Sequence, residues 1–163
     1  MGTDRISLEL NGQPVQLPAE AGDTLLEVLR RNHLYGARES CGQGVCGTCT
    51  VLVNHKTVAG CIFFARLADG STVETVEGLG TPGDLGIVQQ AFIEESGFQC
   101  GFCTPGMIVS TTQLLRDNPN PTDDEITHYL AGNLCRCGAY PEIMRSVRRA
   151  AADLRAASQS TSG

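Results

Sequence analysis

The chain begins with a pattern typical of β-strands. Residues 5–17 alternate apolar and polar side chains on both sides of an Asn-Gly pair, which predicts a β-hairpin with a two-residue turn. The spacing of apolar residues then becomes helical. Thr24 and Glu27 form a capping box directly before this stretch and mark the start of a helix. This short helix is expected to end near Asn32. β-Branched residues predict further strands over residues 50–53, 56–61 and 71–76.

After a glycine- and proline-rich stretch at residues 77–83, the pattern is helical. Gly97 is expected to cap the first of these helices, and Thr122 with Glu125 forms a capping box for the third. Residues 158–163 are expected to form a disordered tail. The first three predicted helices cover residues 86–96, 105–118 and 122–132. The fourth runs from Pro141 to a point before residue 157.

Length and charge narrow the class of protein. A chain of 163 residues suits one or two small domains. The opening segment MGTDRISLEL lacks the apolar core of a signal peptide, and no apolar run approaches the ~18 residues needed to span a bilayer. The net charge of −6 argues against a nucleic-acid surface. We therefore expect a cytoplasmic protein with no membrane span and no nucleic-acid partner.

The candidate chemistry lies in eight cysteines that form two quartets with different spacings. The first quartet follows C-x4-C-x2-C with a fourth cysteine twelve positions later, which is the plant-type spacing for a 2Fe-2S cluster. The second combines a C-x2-C pair with a C-x-C pair. Gly42, Gly44 and Gly47 separate the first three ligands and would let backbone N–H groups turn towards cluster sulfides. The quartets are Cys41, Cys46, Cys49 and Cys61, then Cys100, Cys103, Cys135 and Cys137.

Two other uses of these cysteines compete with iron. An even count suits disulfides, but nothing at the N-terminus directs export. Zinc suits paired C-x2-C motifs and stays an alternative at the second quartet. His33, His55 and His128 match no ligand spacing, so no histidine ligand is expected and a Rieske centre is disfavoured. Two oxidised clusters with their thiolates would bring the net charge to roughly −10.

The predicted elements bring the members of each quartet together. The first is expected on a long loop and the strand after it, and the second on two loops at one end of a helical bundle. A C-x-C pair does not easily chelate one iron, so its thiolates are expected to bind different irons. The fold class is α+β, with a ferredoxin-like 2Fe-2S domain over residues 1–77 and a helical 2Fe-2S domain over residues 78–157.

Three segments carry a resemblance to a known family. They are ESCGQGVCGTC at residues 39–49, QCGFCTPG at residues 99–106 and GNLCRCG at residues 132–138. These segments resemble the two-cluster small subunit of molybdenum hydroxylases, which include xanthine dehydrogenase, aldehyde oxidoreductase, carbon monoxide dehydrogenase and bacterial N-heteroaromatic hydroxylases. The resemblance covers about residues 4–155. It implies an N-terminal plant-type β-grasp domain followed by a C-terminal four-helix-bundle domain.

The resemblance implies an electron-transfer function. In the family, a large subunit with a molybdenum–pterin dinucleotide hydroxylates the substrate with oxygen from water. The electrons then pass through the helical-domain cluster and the plant-type cluster to FAD on a medium subunit, or to an external acceptor. By resemblance, Cys100, Cys103, Cys135 and Cys137 bind the cluster nearer molybdenum, and Cys41, Cys46, Cys49 and Cys61 bind the one nearer the flavin.

The resemblance also implies that Gln99 and Cys137 lie next to the pterin, although Gln99 could instead cap a backbone group in its loop. Gly138-Ala139 stands where family members often have Thr-Gly, so the subtype is open. No catalytic residue is expected on this chain, and carbon monoxide, an aldehyde, a purine and an N-heteroaromatic ring all remain possible substrates. The alternative is a free-standing two-cluster electron carrier.

Overall fold

The predicted hairpin is present and forms one side of a five-stranded sheet. The structure is a computed structural model that describes residues 4–160. The strand order is β2-β1-β5-β3-β4, in which β1 and β5 are parallel and the other neighbours are antiparallel. The strands are β1 (Arg5–Leu10), β2 (Gln13–Pro18), β3 (Thr50–Val53), β4 (Lys56–Ala59) and β5 (Thr72–Glu74).

One helix, α1 (Leu25–Arg31), supplies the core of this half. Its apolar side chains Leu25, Val28 and Leu29 are fully buried in a cluster with residues from the sheet. The predicted capping box is confirmed, since the Glu27 N–H donates to Thr24 Oγ1 and the Thr24 N–H donates to the Glu27 carboxylate. The helix end near Asn32 is confirmed as well.

The second half is helical and has its own core. Phe92, Met107, Ile126 and Val147 are its deeply buried members, each from a different helix. The capping box of Thr122 and Glu125 is confirmed. The helices are α2 (Ile87–Glu94), α3 (Thr104–Asp117), α4 (Asp123–Tyr129) and α5 (Tyr140–Ser160).

The prediction that Gly97 caps α2 is confirmed in part: its N–H donates to the Phe92 carbonyl at 2.8 Å, but it is not the left-handed residue of the cap. The left-handed residue after α2 is Ser96, with a φ of 52°, and no left-handed φ is needed at Gly97. A Cβ on Gly97 would lie 2.4 Å from Ser146 Oγ on α5. Glycine is therefore required because α5 approaches closely, a contact that no local pattern reveals.

The ends of several elements also differ from the prediction. α5 continues to Ser160, so the expected end before residue 157 is wrong and the first three residues of the expected tail are helical. Residues 161–163 of that tail lie outside the described residues, as do residues 1–3. β4 ends at Ala59, two residues before Cys61. Short 3-10 turns at Ala65–Ala68 and Val76–Gly78 have no counterpart in the sequence prediction. A third 3-10 turn, Leu130–Gly132, forms the end of the helix predicted over residues 122–132, because α4 itself ends at Tyr129.

The two halves pack against each other through α3. This helix lies on β3, and Arg116 of α3 pairs with both carboxylate oxygens of Glu74, at 2.5 and 2.9 Å. Such a two-bond pair fixes geometry as well as charge. Of the helices between residues 4 and 160, none has the length and apolar character needed to cross a bilayer.

We predict that Gly97→Ala lowers the free energy of unfolding by about 1–3 kcal/mol, because the added Cβ overpacks the contact with α5. Gly22→Ala is the matched control, since a Cβ there meets nothing within 4 Å, and its effect should stay within about 0.5 kcal/mol. Denaturant titration of both variants under anaerobic conditions measures the difference. Equal stabilities would contradict the packing account.

Candidate iron–sulfur sites

Cys61 is positioned by the N-terminus of α1. The first helical N–H groups need acceptors outside the helix, and two of them find carbonyls on either side of Cys61. The Leu26 N–H donates to the Gly60 carbonyl at 3.0 Å and the Leu25 N–H to the Phe63 carbonyl at 2.7 Å. These bonds fix the turn after β4, so Cys61 reaches the glycine-rich loop without lying on the strand.

The first quartet stands as two pairs of thiols. The Cys41 thiol lies within hydrogen-bonding reach of Cys46, and the Cys49 thiol lies within reach of Cys61. The Gly60 N–H also donates to the Cys49 carbonyl at 3.2 Å, which holds the second pair together through the backbone. All four cysteines of the sequence motif are therefore brought into one place.

Backbone N–H groups of the loop point at the sulfur atoms. The Gly44 N–H donates to Cys61 Sγ at 3.3 Å, and the Gln43 N–H donates to Cys41 Sγ at 3.4 Å. The Gln43 N–H, aided by further N–H groups of the loop, lowers the pKa of the Cys41 thiol to about 6. Burial has the opposite effect on Cys49 and raises its pKa to about 11. A loop that stabilises a thiolate in this way also suits the anionic sulfur of a cluster.

The second quartet also stands as two pairs. Cys100 lies within hydrogen-bonding reach of Cys137, and Cys103 lies within reach of Cys135. The C-x-C cysteines therefore belong to different pairs. Burial raises the pKa of Cys103 to about 12, whereas the Phe102 N–H lowers the pKa of exposed Cys100. One pair is buried and the other is exposed.

The donor set fits a two-iron cluster. No three histidine, cysteine or carboxylate side chains converge as ligands of a single metal ion within residues 4–160; the thiols stand two by two, and a two-iron cluster takes two thiolates per iron. Among the same residues, three buried donors lack an acceptor, and two of them lie near a quartet: Arg38 Nε near the first and Thr104 Oγ1 beside Cys103 of the second. Bridging sulfides accept hydrogen bonds, so a cluster would give such donors a partner.

The two cysteine loops meet at a seam of hydrogen bonds that backbone carbonyls of the first loop accept. The Leu134 N–H donates to the Cys46 carbonyl at 2.9 Å, and Asn133 Nδ2 donates to the Gly47 carbonyl at 2.9 Å. Asn133 is buried, and its Oδ1 accepts a hydrogen bond from Ser110 of α3. No local sequence pattern points to Asn133, because its partner Gly47 lies 86 positions away along the chain.

The seam leaves no room for a side chain on Gly47. This residue has a φ of 69°, and a Cβ would lie 2.3 Å from the Gly132 carbonyl oxygen. A Cβ on Gly106, in the first turn of α3, would lie 2.3 Å from the Gly47 carbonyl oxygen. Beside this contact is a cavity of about 330 Å³ lined by members of both quartets, including Cys46, Cys103 and Cys135.

The remaining candidate residues lie at the surface. Gln99 is exposed directly before Cys100, and Cys137 is exposed as well. Arg136, between the C-x-C cysteines, also faces solvent. The arginines of α5 are engaged within the chain: Arg148 pairs with Asp123, and Arg149 pairs with Glu94 and Asp153.

Comparison with known proteins gives one consistent result. A profile described as a 2Fe-2S iron-sulfur cluster binding domain matches residues 8–77, and one described as a [2Fe-2S] binding domain matches residues 75–148. The chain is 44% identical to the nicotinate dehydrogenase small FeS subunit of Eubacterium barkeri, covering 89% of this chain and 93% of that subunit. It is 39% identical to the aldehyde oxidoreductase iron-sulfur-binding subunit of Escherichia coli (strain K12), covering 92% and 72%.

Solved structures agree with the sequence relatives. A chain of quinoline 2-oxidoreductase from Pseudomonas putida 86 superposes with a TM-score of 0.89 at 37% identity, covering 93% of this chain and 96% of that one. The fold and the paired thiols define an iron–sulfur protein with two 2Fe-2S-binding regions. The chain belongs to the family of two-cluster iron–sulfur subunits of molybdenum hydroxylases.

We predict that Gly47→Ala loses iron, whereas Gly42→Ala keeps it. Both glycines have a positive φ, but a Cβ on Gly42 meets nothing within 4 Å while one on Gly47 strikes the backbone across the seam. The Gly42 variant should cost only about 1–2 kcal/mol of backbone strain. Iron content per chain and the visible absorption spectrum measure the difference. Similar iron content in both variants would contradict the role of the seam.

Proposed function

We propose that this chain is the electron-transfer subunit of a heteromeric molybdenum hydroxylase. Electrons would pass from a molybdenum–pterin dinucleotide on a large subunit, through two 2Fe-2S clusters here, to FAD on a medium subunit or to an external acceptor. The observation that carries the proposal is the presence of two thiol quartets, each arranged as two pairs, on loops that contact each other. The substrate would bind to the large subunit.

The chain divides into two domains in this proposal. Residues 1–77 form a plant-type β-grasp domain, and residues 78–157 form a helical-bundle domain. In support, the last strand ends at Glu74 and the first helix of the second core begins at Ile87. Each half also has its own buried apolar cluster.

The ligands of the plant-type cluster are Cys41, Cys46, Cys49 and Cys61, and those of the helical-domain cluster are Cys100, Cys103, Cys135 and Cys137. Each cluster, when bound, accepts and releases one electron. The chain supplies N–H donors for the sulfur atoms, buries one side of each site and keeps the two sites at a fixed separation through the seam. Such positioning is what a protein contributes to redox chemistry.

The helical-domain site is the one we place towards molybdenum. Its exposed pair, Cys100 and Cys137, lies at the surface next to exposed Gln99. A pterin on a partner could therefore reach the side chains of Gln99 and Cys137. Electrons would enter by this exposed pair and leave through the first quartet.

Exposed apolar side chains around both sites support two partners. Large exposed apolar patches mark interaction surfaces. We propose that the large subunit covers the side chains at the second site and that the medium subunit covers those at the first, with the complex in the cytoplasm. These side chains are Phe98, Phe102, Leu134 and Tyr140 at the second site, and Val45, Ile62 and Phe64 at the first.

We predict that the natively purified chain co-elutes with a large molybdenum-containing subunit and carries about four irons. Two 2Fe-2S clusters in different surroundings should give two distinct EPR signals after reduction. Metal analysis and EPR of the same fraction make the measurement. Stoichiometric zinc or a single signal would contradict two-cluster binding, and a stable redox-active monomer would support the free carrier instead.

We predict that Cys137→Ser impairs substrate-driven reduction more than Cys61→Ser does. The first change damages the site that receives electrons from molybdenum, so the plant-type cluster should no longer be reduced when substrate is added. The second damages only the later site, so the helical-domain cluster should still be reduced. EPR of the remaining cluster after mixing with substrate gives the comparison. Equal effects would contradict the proposed order.

A further inference from the structure

The hydroxyl of Thr48 lies between a candidate ligand and a backbone carbonyl. Its Oγ1 is 3.3 Å from Cys46 Sγ and 3.1 Å from the carbonyl oxygen of Arg38. The residue is only 4% exposed. Thr48 also lines the cavity that Cys103 and Cys135 of the second quartet line, so the residue lies on the side of the first site that faces the second.

The backbone holds this hydroxyl in place. The Arg38 N–H donates to the Thr48 carbonyl at 3.0 Å, so the two residues are bonded in both directions. Thr48 Oγ1 has one proton and two acceptors within reach. The hydroxyl can turn from one acceptor to the other without any movement of the backbone.

Binding of iron by Cys46 determines which group donates the hydrogen bond between Thr48 and Cys46. A free thiol could donate to Thr48, but a ligating cysteine is a thiolate and has no proton to give. Thr48 is then the only donor in that contact. A hydrogen bond to an anionic sulfur strengthens as the negative charge grows, and burial keeps water from competing for it. The bond is therefore stronger when the cluster holds an additional electron.

We propose that Thr48 is a positioning residue that raises the reduction potential of the plant-type cluster through its hydrogen bond to Cys46. The inference rests on the proposed function, since it requires a cluster on the first quartet. One electron passes from the second cluster, which is oxidised, to the first, which is reduced, and no covalent bond breaks and no proton leaves. Because the Thr48 hydroxyl stabilises the reduced form of the first cluster, it favours electron transfer from the second cluster to the first.

Cys46 also connects the two sites through its backbone. Its carbonyl accepts the N–H of Leu134, which directly precedes Cys135. Cys46 is thus the first-quartet cysteine whose backbone is hydrogen-bonded to the loop of the second quartet. The hydrogen bond from Thr48 is therefore made to the ligand that borders the second site.

The test is an EPR-monitored redox titration of the purified complex with Thr48→Val, which keeps the shape and removes the hydroxyl. We expect the equilibrium constant for one-electron reduction of the plant-type cluster to fall about fivefold. At 59 mV per tenfold, this is a fall of about 40 mV in its reduction potential. The potential of the other cluster should stay unchanged. Thr48→Ser retains the hydroxyl and should restore most of the potential.

Thr111→Val is the matched control. Thr111 is also fully buried, but its hydroxyl has no hydrogen-bond partner among the described residues, so both potentials should stay at the wild-type value. If Thr48→Val does not bind iron, Thr48→Ala removes the same hydroxyl with a smaller side chain and gives the same test. An unchanged reduction potential of the plant-type cluster, or an equal shift in the potentials of both clusters, would overturn the inference. Two intact EPR signals in the same sample would still support cluster binding. Absence of those signals in the wild type would instead refute the proposed function.

Discussion

The carbonyl of Gly47 is the point on which the arrangement of the two sites depends. It accepts hydrogen bonds from the Thr50 hydroxyl at 2.7 Å and from the Asn133 amide at 2.9 Å, and the backbone of Gly106 lies against it. A buried carbonyl must be paired or it costs stability, so the loop between Cys46 and Cys49 cannot move without breaking these bonds. The separation of the quartets is therefore set by a backbone carbonyl and the two buried side chains that pair with it.

Local signals predicted the elements well. Both capping boxes and the Asn-Gly hairpin place one end of an element through contacts three residues apart or fewer, and all three are confirmed. The spacing of the cysteines also predicted which thiols come together. The seam through Asn133, the close contact at Gly97 and the bonds from α1 to either side of Cys61 were not predicted. Each depends on residues far apart in the sequence, where neither periodicity nor spacing carries a signal.

The second site has an asymmetry that spacing alone does not reveal. In the second quartet, Cys103 and Cys135 are buried while Cys100 and Cys137 are exposed. In the first, Cys49 is buried and the other three cysteines are all half-buried. A two-iron group held by the second quartet would extend from the core of its domain towards the surface. One iron would be screened from water, and the other would lie within reach of a partner.

The distribution of charge argues for permanent partners over a free carrier. Two bound clusters would bring the chain to roughly −10, yet the arginines of α5 that could face an acidic partner are paired with Glu94, Asp123 and Asp153 of the same chain. The surfaces next to the thiols instead expose apolar side chains such as Val45, which is 60% exposed, and Ile62, which is 57% exposed. Transient partners meet through complementary charge, whereas permanent interfaces are more apolar. A chain with apolar side chains exposed next to both sets of thiols is therefore better suited to remain bound within a complex than to diffuse as a free carrier.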